Sequence, residues 1–374
     1  MIQEIEAKSI LRRHRRIDSW FVSSCGLNLY RGCAHDCVYC DGRDEKYRVD
    51  GTFNRDISVK INAIDILKKE LDPAKRRKPF GGGFMVICGG VSDAYQPCEK
   101  SYLLCRRTLE LMLQYRHPVH ILTKSTMVER DLDLLQEINR QNNAVVSFSF
   151  SSTDDPVGRQ LEPGVPPPSE RLKTIARIKR TGIACGMYLM PVVPYITDTR
   201  AMLDKSLHDA ADAGVDFVIF GGMTLKPGVQ KDYFTTFLER NHPELVLEYE
   251  KIYSAADPWG APDSRYFSDV EKIFCELCDK YRLPKRMPST LFESVVSKKE
   301  LVVLILEQLD YLVKLRGKKS PYGYASSQIW NDAKPVEFYT YDNLLQMPGI
   351  GTVTANIITE IITTGRSGYY EKML

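Results

Sequence analysis

Apolar and amphipathic segments alternate along the first 230 residues of the chain. Short runs rich in apolar and β-branched residues predict six strands, at residues 20–25, 84–88, 119–122, 144–150, 184–190 and 215–220. Between them, apolar residues at helical spacing predict helices at residues 56–71, 101–114, 131–140, 169–180 and 199–213. This alternation predicts an α/β fold, a partial (β/α)6 barrel of the TIM type that lacks two of the usual units.

The pattern changes after residue 230. Residues 231–317 have helical periodicity without further strands and end in an apolar helix at residues 301–315. Residues 318–338 are interrupted by Ser, Pro and Gly and predict a linker, which opens a small module over residues 318–374. Residues 1–19 are polar and basic. They predict an N-terminal extension packed outside the barrel, which itself spans residues 20–230.

Three cysteines lie close together in the loop that follows the first predicted strand, at C-x3-C-x2-C spacing. They are Cys33, Cys37 and Cys40. Three thiolates cannot complete a structural zinc site, which takes four ligands, and His35 lies too close to its neighbours in the loop for a relaxed tetrahedron. Cys275 and Cys278 could supply a second pair, but their helical pattern is typical of small buried thiols. A four-iron cluster held by three cysteines keeps one iron open for an exogenous ligand, which is a catalytic arrangement.

Other polar side chains follow the later predicted strands. Ser92, Lys124, Ser149 and Pro191 all fall near strand C-termini. Ligand sites of β/α barrels lie on the loops at this end of the strands. The sequence therefore predicts one site that combines these residues with the cysteine loop.

Bulk composition narrows the class of protein. The chain has 374 residues, of which 43% are hydrophobic and 26% charged, and no apolar run reaches the roughly 18 to 20 residues that span a bilayer. No apolar signal region follows the basic N-terminal residues, so we expect a cytoplasmic protein without a membrane partner. Its ten cysteines are then expected to stay reduced and to favour metal or catalytic roles.

Net charge gives no argument for a nucleic-acid partner, because it is only +3. Two local basic runs are more suggestive, at residues 12–16 and 75–78. Each run is compatible with a phosphate-binding surface and equally with a solvated loop or helix face.

The cysteine spacing, with the aromatic Tyr39 before the last cysteine, resembles the signature of the radical S-adenosylmethionine (SAM) superfamily. A narrower similarity connects the chain with the family of spore photoproduct lyase and its DNA-repair-photolyase-like relatives. Four further motifs over roughly residues 20–290 carry it: residues 90–99, Thr123-Lys124, residues 161–164 with Arg171-Leu172, and residues 190–194.

This resemblance implies a cofactor and a first chemical step. The three loop cysteines would bind a [4Fe-4S] cluster, and SAM would chelate the fourth iron. One electron would cleave SAM to methionine and a 5′-deoxyadenosyl radical, which abstracts hydrogen from the substrate. Ser92 and Lys124 would contact SAM, Lys124 through the SAM carboxylate. Ser149 would lie near the ribose, and the Tyr39 backbone near the adenine. An electron donor such as a ferredoxin or flavodoxin is implied as a partner.

One position departs from this family. In spore photoproduct lyase, a cysteine two residues before the serine of the second-strand motif returns a hydrogen atom to the product. The matching residue here is Gly90, and the neighbouring Cys88 and Cys98 are not at that position. The sequence therefore assigns no catalytic hydrogen donor, and thymine-dimer reversal itself is not implied.

Residues 344–358 resemble the helix-hairpin-helix motif. One helix would end at Met347, residues 348–351 would turn the chain, and a second helix would run to about residue 362. Backbone amides at Gly349, Gly351 and Thr352 would then contact a nucleic-acid phosphate, since glycine permits close approach and a helix N-terminus favours an anion. The alternative is that the hairpin only packs against protein.

These observations favour a radical SAM enzyme that repairs or modifies a base of DNA or RNA. The alternative within the same chemistry is an enzyme acting on a small molecule or a protein, with the hairpin purely structural. A hypothesis of another class is a non-catalytic nucleic-acid-binding protein with a structural metal. Iron content separates this last hypothesis from the other two.

Overall fold

The computed structural model describes residues 1–47, 49, 51–75, 80–87, 91–253, 257 and 259–374. Cys88, Gly90 and most of the basic run at residues 75–78 lie outside the described residues. The strands are β1 Ile2–Ile5, β2 Leu11–Asp18, β3 Ser23–Leu27, β4 Tyr30–Arg31, β5 Ile57–Lys60, β6 Met85–Ile87, β7 Val119–Thr123, β8 Ala144–Phe150, β9 Ala184–Val192 and β10 Phe217–Gly222.

Helices cover most of the remaining chain. They are α1 Ala63–Leu71, α2 Glu99–Tyr102, α3 Leu104–Gln114, α4 Leu132–Asn142, α5 Asp155–Leu161, α6 Pro168–Lys179, α7 Arg200–Ala213, α8 Val229–Asn241, α9 Val246–Ile252, α10 Ser264–Tyr281, α11 Lys298–Leu315, α12 Tyr322–Asn331, α13 Tyr341–Leu345, α14 Thr352–Thr364 and α15 Gly368–Met373. None of the helices in the described parts of the chain is long and apolar enough to cross a membrane.

The main sheet confirms the predicted partial barrel. Its order is β10-β9-β8-β7-β6-β3-β2, and the neighbours from β3 through β10 pair in parallel. Strand β8 is buried along its whole length, as expected for a parallel strand covered on both faces. Because the six parallel strands run in one direction, their C-terminal ends form a single edge, where the site was predicted.

The N-terminal region differs from the prediction. Strand β2, within residues 1–19, is not an extension outside the barrel but pairs antiparallel with β3 as the last strand of the main sheet. A second sheet, in the order β1-β5-β4, includes residues 57–60, which were predicted to be helical. The helix begins only at Ala63. The apolar spacing of residues 57, 61 and 64 matched a helix by coincidence, since the first of these belongs to a short β-branched strand.

Two cores lie on opposite faces of the sheet. The outer core packs the sheet against surrounding helices and includes Ile121, Val146 and Cys185. The inner core packs Val145 and Phe217 of the concave face against α11 and the helices that follow it. The concave side of the half-barrel is therefore filled by the C-terminal part of the chain rather than by more barrel units.

The C-terminal segment, residues 318–374, has more helical structure than was predicted. Helix α12 lies inside residues 318–338, where a linker was predicted. Helices α13 and α14 occur where the hairpin helices were predicted, and Ile357 and Ile358 are buried in the inner core. Leu345, the last residue of α13, is 38% exposed. Whether this pair of helices acts as a helix-hairpin-helix module stays a prediction, as do the domain boundaries at residues 230 and 317.

Candidate active site at the strand ends

The cysteine loop begins at a position that requires glycine. Gly32 has φ +78°, and a Cβ there would lie 2.7 Å from the carbonyl oxygen of Asp56. The next amide, of Cys33, donates to the carbonyl of Phe53 at 3.3 Å. The start of the loop is thus held against the segment before β5, by close backbone packing that a side chain would prevent.

The far end of the loop is fixed by other contacts. The Val38 amide donates to the Leu161 carbonyl at 2.9 Å. Arg43 is buried, makes an ion pair with Asp36, and donates to the Cys37 carbonyl at 3.4 Å. Contacts from other loops and from a buried cation therefore determine the loop path.

The three loop thiols line one cavity. Burial raises the pKa of each of Cys33, Cys37 and Cys40, so they are neutral thiols until a metal displaces their protons. Among the described residues, no three His, Cys, Asp or Glu side chains converge on one point that could hold a single metal ion. Three thiolates are one ligand short of a structural zinc site, whereas they suit a four-iron cluster in which each cysteine binds a different iron.

Lys124 lies beside these thiols at the end of β7. Its Nζ donates to Ser149 Oγ at 3.0 Å and to Glu162 Oε1 at 2.8 Å. An ammonium group has three donors, so one N–H remains for a ligand. The side chain is only 13% exposed, and it lines the same cavity as the thiols. The prediction that Lys124 and Ser149 meet at the strand ends is confirmed.

Glu162 is the anion around which this group is arranged. Arg171 donates to its second oxygen at 2.5 Å and to the Ser149 carbonyl at 2.7 Å, and the Tyr39 hydroxyl also donates to the carboxylate. Burial alone would raise the pKa of Glu162, but the Arg171 and Lys124 cations hold it at about 2. The carboxylate is therefore ionised at neutral pH and fixes the position of Lys124.

Ser92 and its neighbours connect the cysteine loop to the strand ends. Ser92 Oγ donates to the Gly32 carbonyl at 2.9 Å. Asp93 accepts from the Lys124 amide at 2.7 Å, and its carboxylate lies 3.5 Å from His35 Nδ1. Burial lowers the pKa of His35, so the ring is neutral at neutral pH. In this structure Ser92 therefore supports the loop.

A larger cavity opens next to the thiols. It has a volume of about 440 Å³, within the range of small-molecule sites. Cys37, Cys40 and Lys124 line it together with apolar residues that include Trp20 and Phe21. Tyr39 also lines it, and its carbonyl accepts from Gln230 Nε2 at 3.0 Å.

Sequence comparison decides the family. The pattern described as "Radical SAM superfamily" matches residues 27–207, a stretch that contains the cysteine loop and strands β6 to β9. The chain belongs to the radical SAM superfamily. This radical SAM protein is accordingly an enzyme whose cofactors are a [4Fe-4S] cluster and SAM.

Similar proteins occur in bacteria and archaea. The uncharacterized protein Rv2578c of Mycobacterium tuberculosis is 34% identical over 261 residues, which cover 69% of this radical SAM chain and 74% of the relative. The uncharacterized protein MJ0683 of Methanocaldococcus jannaschii is 26% identical over 219 residues, which cover 58% of this chain and 76% of the relative.

Solved structures support the same fold. A spore photoproduct lyase complexed with dinucleoside spore photoproduct aligns with a TM-score of 0.55 at 15% identity, over 75% of this chain and 79% of that one. A point mutant of spore photoproduct lyase gives 0.54 at 15% identity over the same shares of the two chains. At these identities the similarity shows the fold, a radical SAM half-barrel.

The structure brings the predicted strand-end residues together but leaves the hairpin residues outside this site. The predicted cysteines, Ser92, Lys124 and Ser149 line the cavity beside the loop. Gly349, Gly351 and Thr352 are exposed in the turn between α13 and α14, and they are not among the residues that line either cavity of the radical SAM core. Cys275 and Cys278 are buried in the outer core, as predicted, and Cys98 is buried there too.

No role was predicted for Glu162 and Arg171, although both belong to the motifs that carry the family resemblance. A signal for Arg171 was present: it stands at the spacing of Ile175 and Ile178, on the buried face of α6. A charged residue at such a position needs a buried partner. The partner, Glu162, could not be read from spacing because it lies on a different element.

Proposed function

We propose that this radical SAM enzyme repairs or modifies a base of DNA or RNA. The observation that carries the proposal is the cavity of about 440 Å³, which connects the cysteine loop to the aromatic side chains of Trp20 and Phe21. Lys124, Ser149 and Tyr39, which are assigned to SAM, line the same cavity, so we assign the base to the part lined by Trp20 and Phe21. Nucleobases bind on aromatic side chains by stacking.

In this proposal Cys33, Cys37 and Cys40 would hold the cluster, which would supply the one electron that cleaves SAM to methionine and a 5′-deoxyadenosyl radical. The chain positions SAM through groups already in place. Lys124 offers its remaining N–H to the SAM carboxylate, because Glu162 and Ser149 occupy the other two. Ser149 is assigned to the ribose, and Ser92 to SAM through the oxygen that also supports the loop.

The aromatic side of the cavity is held in place by neighbouring rings and charges. Phe21 stacks on Tyr188, with ring centroids 5.2 Å apart and an interplanar angle of 16°. The guanidinium of Arg286 lies 4.8 Å from the Trp20 ring centroid. Rigid aromatic surfaces bind a base at low entropic cost, which supports a nucleobase as the group that faces the radical.

Two further points support a nucleic-acid substrate. The spore photoproduct lyase with a similar fold was solved with a dinucleoside spore photoproduct bound. In addition, the turn before α14 exposes Gly351 and Thr352, and the first amides of that helix can bind a phosphate oxygen. We assign the turn to the phosphate backbone and the reducing electron to a ferredoxin or flavodoxin.

A second candidate is a small-molecule or protein substrate, with the hairpin purely structural. The observation that favours it is the packing of α14, whose Ile357, Ile358 and Ile361 are buried in the inner core. This burial would stabilise the fold whether or not the turn binds a polymer.

Anaerobic turnover tests the proposal. The reconstituted enzyme would be incubated with SAM, a reductant and damaged or undamaged DNA or RNA, and both 5′-deoxyadenosine and nucleoside products would be measured. We expect one nucleic acid to raise 5′-deoxyadenosine formation and to yield a base of altered mass. Identical SAM cleavage with and without every nucleic acid, and unaltered bases, would reject the proposal in favour of the second candidate.

A further inference from the structure

The edge strand β2 carries five consecutive basic residues, and the proposed function assigns no role to them. They are Arg12, Arg13, His14, Arg15 and Arg16. The strand pairs with β3 on one side and is the last strand of the main sheet on the other. Charged side chains on an edge strand prevent pairing with strands of other molecules. Protection of this edge therefore accounts for part of the basic run.

The five side chains are nevertheless not equivalent. Arg16 forms an ion pair with Glu307 at 2.6 Å, and the Arg13 guanidinium lies 4.5 Å from the Phe80 ring centroid. These two residues serve the packing of the fold. By contrast, the guanidinium groups of Arg12 and Arg15 are exposed and form no hydrogen bond or ion pair with the residues that the structure describes.

Arg12 and His14 line a third cavity, of about 470 Å³, whereas Arg15 does not. Lys60 and Asn28 line the same cavity, and Lys60 Nζ donates to the Asn28 carbonyl at 2.7 Å. The side-chain oxygen of Asn28 is buried and has no hydrogen-bond partner. The basic side chains of Arg12, His14 and Lys60 fit an anionic group, whereas the unsatisfied oxygen of Asn28 needs a hydrogen-bond donor such as a sugar hydroxyl.

This basic cavity adjoins the proposed substrate cavity. Phe21 lines both of them. Asp18 is an acidic residue among the lining residues, and its Oδ1 already accepts from the Trp20 amide at 3.1 Å and the Phe21 amide at 2.8 Å. Its charge is therefore partly compensated by the backbone that positions the two aromatic residues.

We propose that the basic cavity along β2 binds the phosphodiester backbone of the nucleic-acid strand whose base enters the adjoining cavity beside Phe21. This inference rests on the proposed function and adds where the strand lies. Arginine binds phosphate oxygens through two parallel N–H donors, and a positively charged groove next to an aromatic surface is how single strands are held. Arg12 contacts the phosphate, and His14, Lys60 and Asn28 complete the surface around the sugar.

A matched pair of substitutions on β2 tests the inference. Arg12→Gln and Arg15→Gln remove the same charge from the same strand, but only Arg12 lines the cavity. The affinity of the reconstituted enzyme for a single-stranded oligonucleotide would be measured against salt concentration. We expect Arg12→Gln to reduce the slope of log K against log salt by about 0.7, and Arg15→Gln to leave it unchanged. When salt is raised from 50 to 200 mM, the affinity of Arg12→Gln should fall by a factor about 2.5 times smaller than the factor by which the wild-type affinity falls.

A further variant and the pattern of outcomes show whether this inference or the proposed function is wrong. Arg12→Lys should restore the wild-type slope, because the slope depends on charge. If the wild type binds and modifies the oligonucleotide but Arg12→Gln keeps the wild-type slope, the assignment of the basic cavity is wrong and the proposed function stands. If Arg12→Gln and Arg15→Gln lower the slope equally, the basic run acts as a diffuse charge and the assignment is again wrong. A wild type that binds no nucleic acid would overturn both.

Discussion

The strand-end site and the C-terminal turn differ in how far the chain itself determines their geometry. At the strand ends, Lys124 is held by Ser149 and Glu162, and Glu162 is held in turn by Arg171. In the turn before α14, Gly351 is exposed, and a Cβ added there would meet no atom within 4 Å. The strand-end site is thus constrained by buried ion pairs, whereas the turn is open to solvent.

This difference indicates how each region can act. Charges fixed in a buried site stabilise a ligand without reorganising when it binds, so their geometry is informative about chemistry. An exposed turn acquires a defined role only from its partner, and changes there should affect binding more than folding. Substitutions in the two regions test the contrast.

The largest effect is expected at the cysteine loop. Cys33→Ala should abolish iron binding and reduce 5′-deoxyadenosine formation to background, because a cluster that loses one of three thiolates is no longer held. Iron content after anaerobic reconstitution measures this. The control is Cys275→Ala, which removes a buried thiol from α10 and should bind as much iron as the wild type. Unchanged iron content in Cys33→Ala would reject the assignment of the cluster to this loop.

The next effect concerns the buried carboxylate. Glu162→Gln should lower the free energy of unfolding by about 3 kcal/mol, because it leaves Arg171 charged, fully buried and without its counter-ion. Urea denaturation at pH 7 measures the change. Glu170→Gln is the matched control, since it breaks an exposed pair with Lys173 on the same helix and should shift stability by no more than about 0.5 kcal/mol. Equal effects of the two substitutions would contradict the contrast.

Acid should reduce the difference between the wild type and Glu162→Gln. The pKa of Glu162 falls from an ordinary 4.5 to about 2 in the folded protein. A depressed pKa stabilises the fold above the ordinary value, and this stabilisation is lost as pH falls towards the folded value. The gap in unfolding free energy should therefore shrink between about pH 5 and pH 3, by up to roughly 2 kcal/mol. If the difference in unfolding free energy between the wild type and Glu162→Gln stays constant over this range, the pKa of Glu162 is not lowered by folding.

The smallest effect is expected in the turn. Gly351 is the N-cap of α14 with extended backbone, so Gly351→Asp and Gly351→Ser should both fold with stability equal to or slightly above the wild type. The added carboxylate should still weaken nucleic-acid binding about twofold to fivefold, while serine should not, because only aspartate repels a phosphate at the helix N-terminus. Equal oligonucleotide affinity of the two variants would favour a purely structural hairpin.

The parallel strands could be predicted because burial on both faces makes them continuous apolar runs. Strand β8, residues 144–150, has the same bounds in the sequence prediction and the structure. Strand β2 was missed because an exposed edge strand has little apolar pattern: only two apolar residues, Leu11 and Ile17, flank its run of basic residues. Here pairing with a neighbour, rather than local composition, determines the structure.

The site was predictable only as far as topology could bring its residues together. Strand ends of a parallel sheet share an edge, so Lys124 and Ser149 could be placed side by side from the sequence. Glu162 follows α5, and no spacing rule connects its loop to Lys124. Gly90, the position that the family resemblance compares with a hydrogen-donating cysteine, lies outside the described residues.

Filling of the half-barrel by α11 and the helices after it has a consequence for biosynthesis. The ribosome makes the strands first, so the concave face of the sheet, with Val145, Tyr188 and Phe217, stays uncovered until residues beyond 298 emerge. Such a face is prone to aggregation while exposed. Nascent chains of this enzyme should therefore depend on chaperones until late in translation.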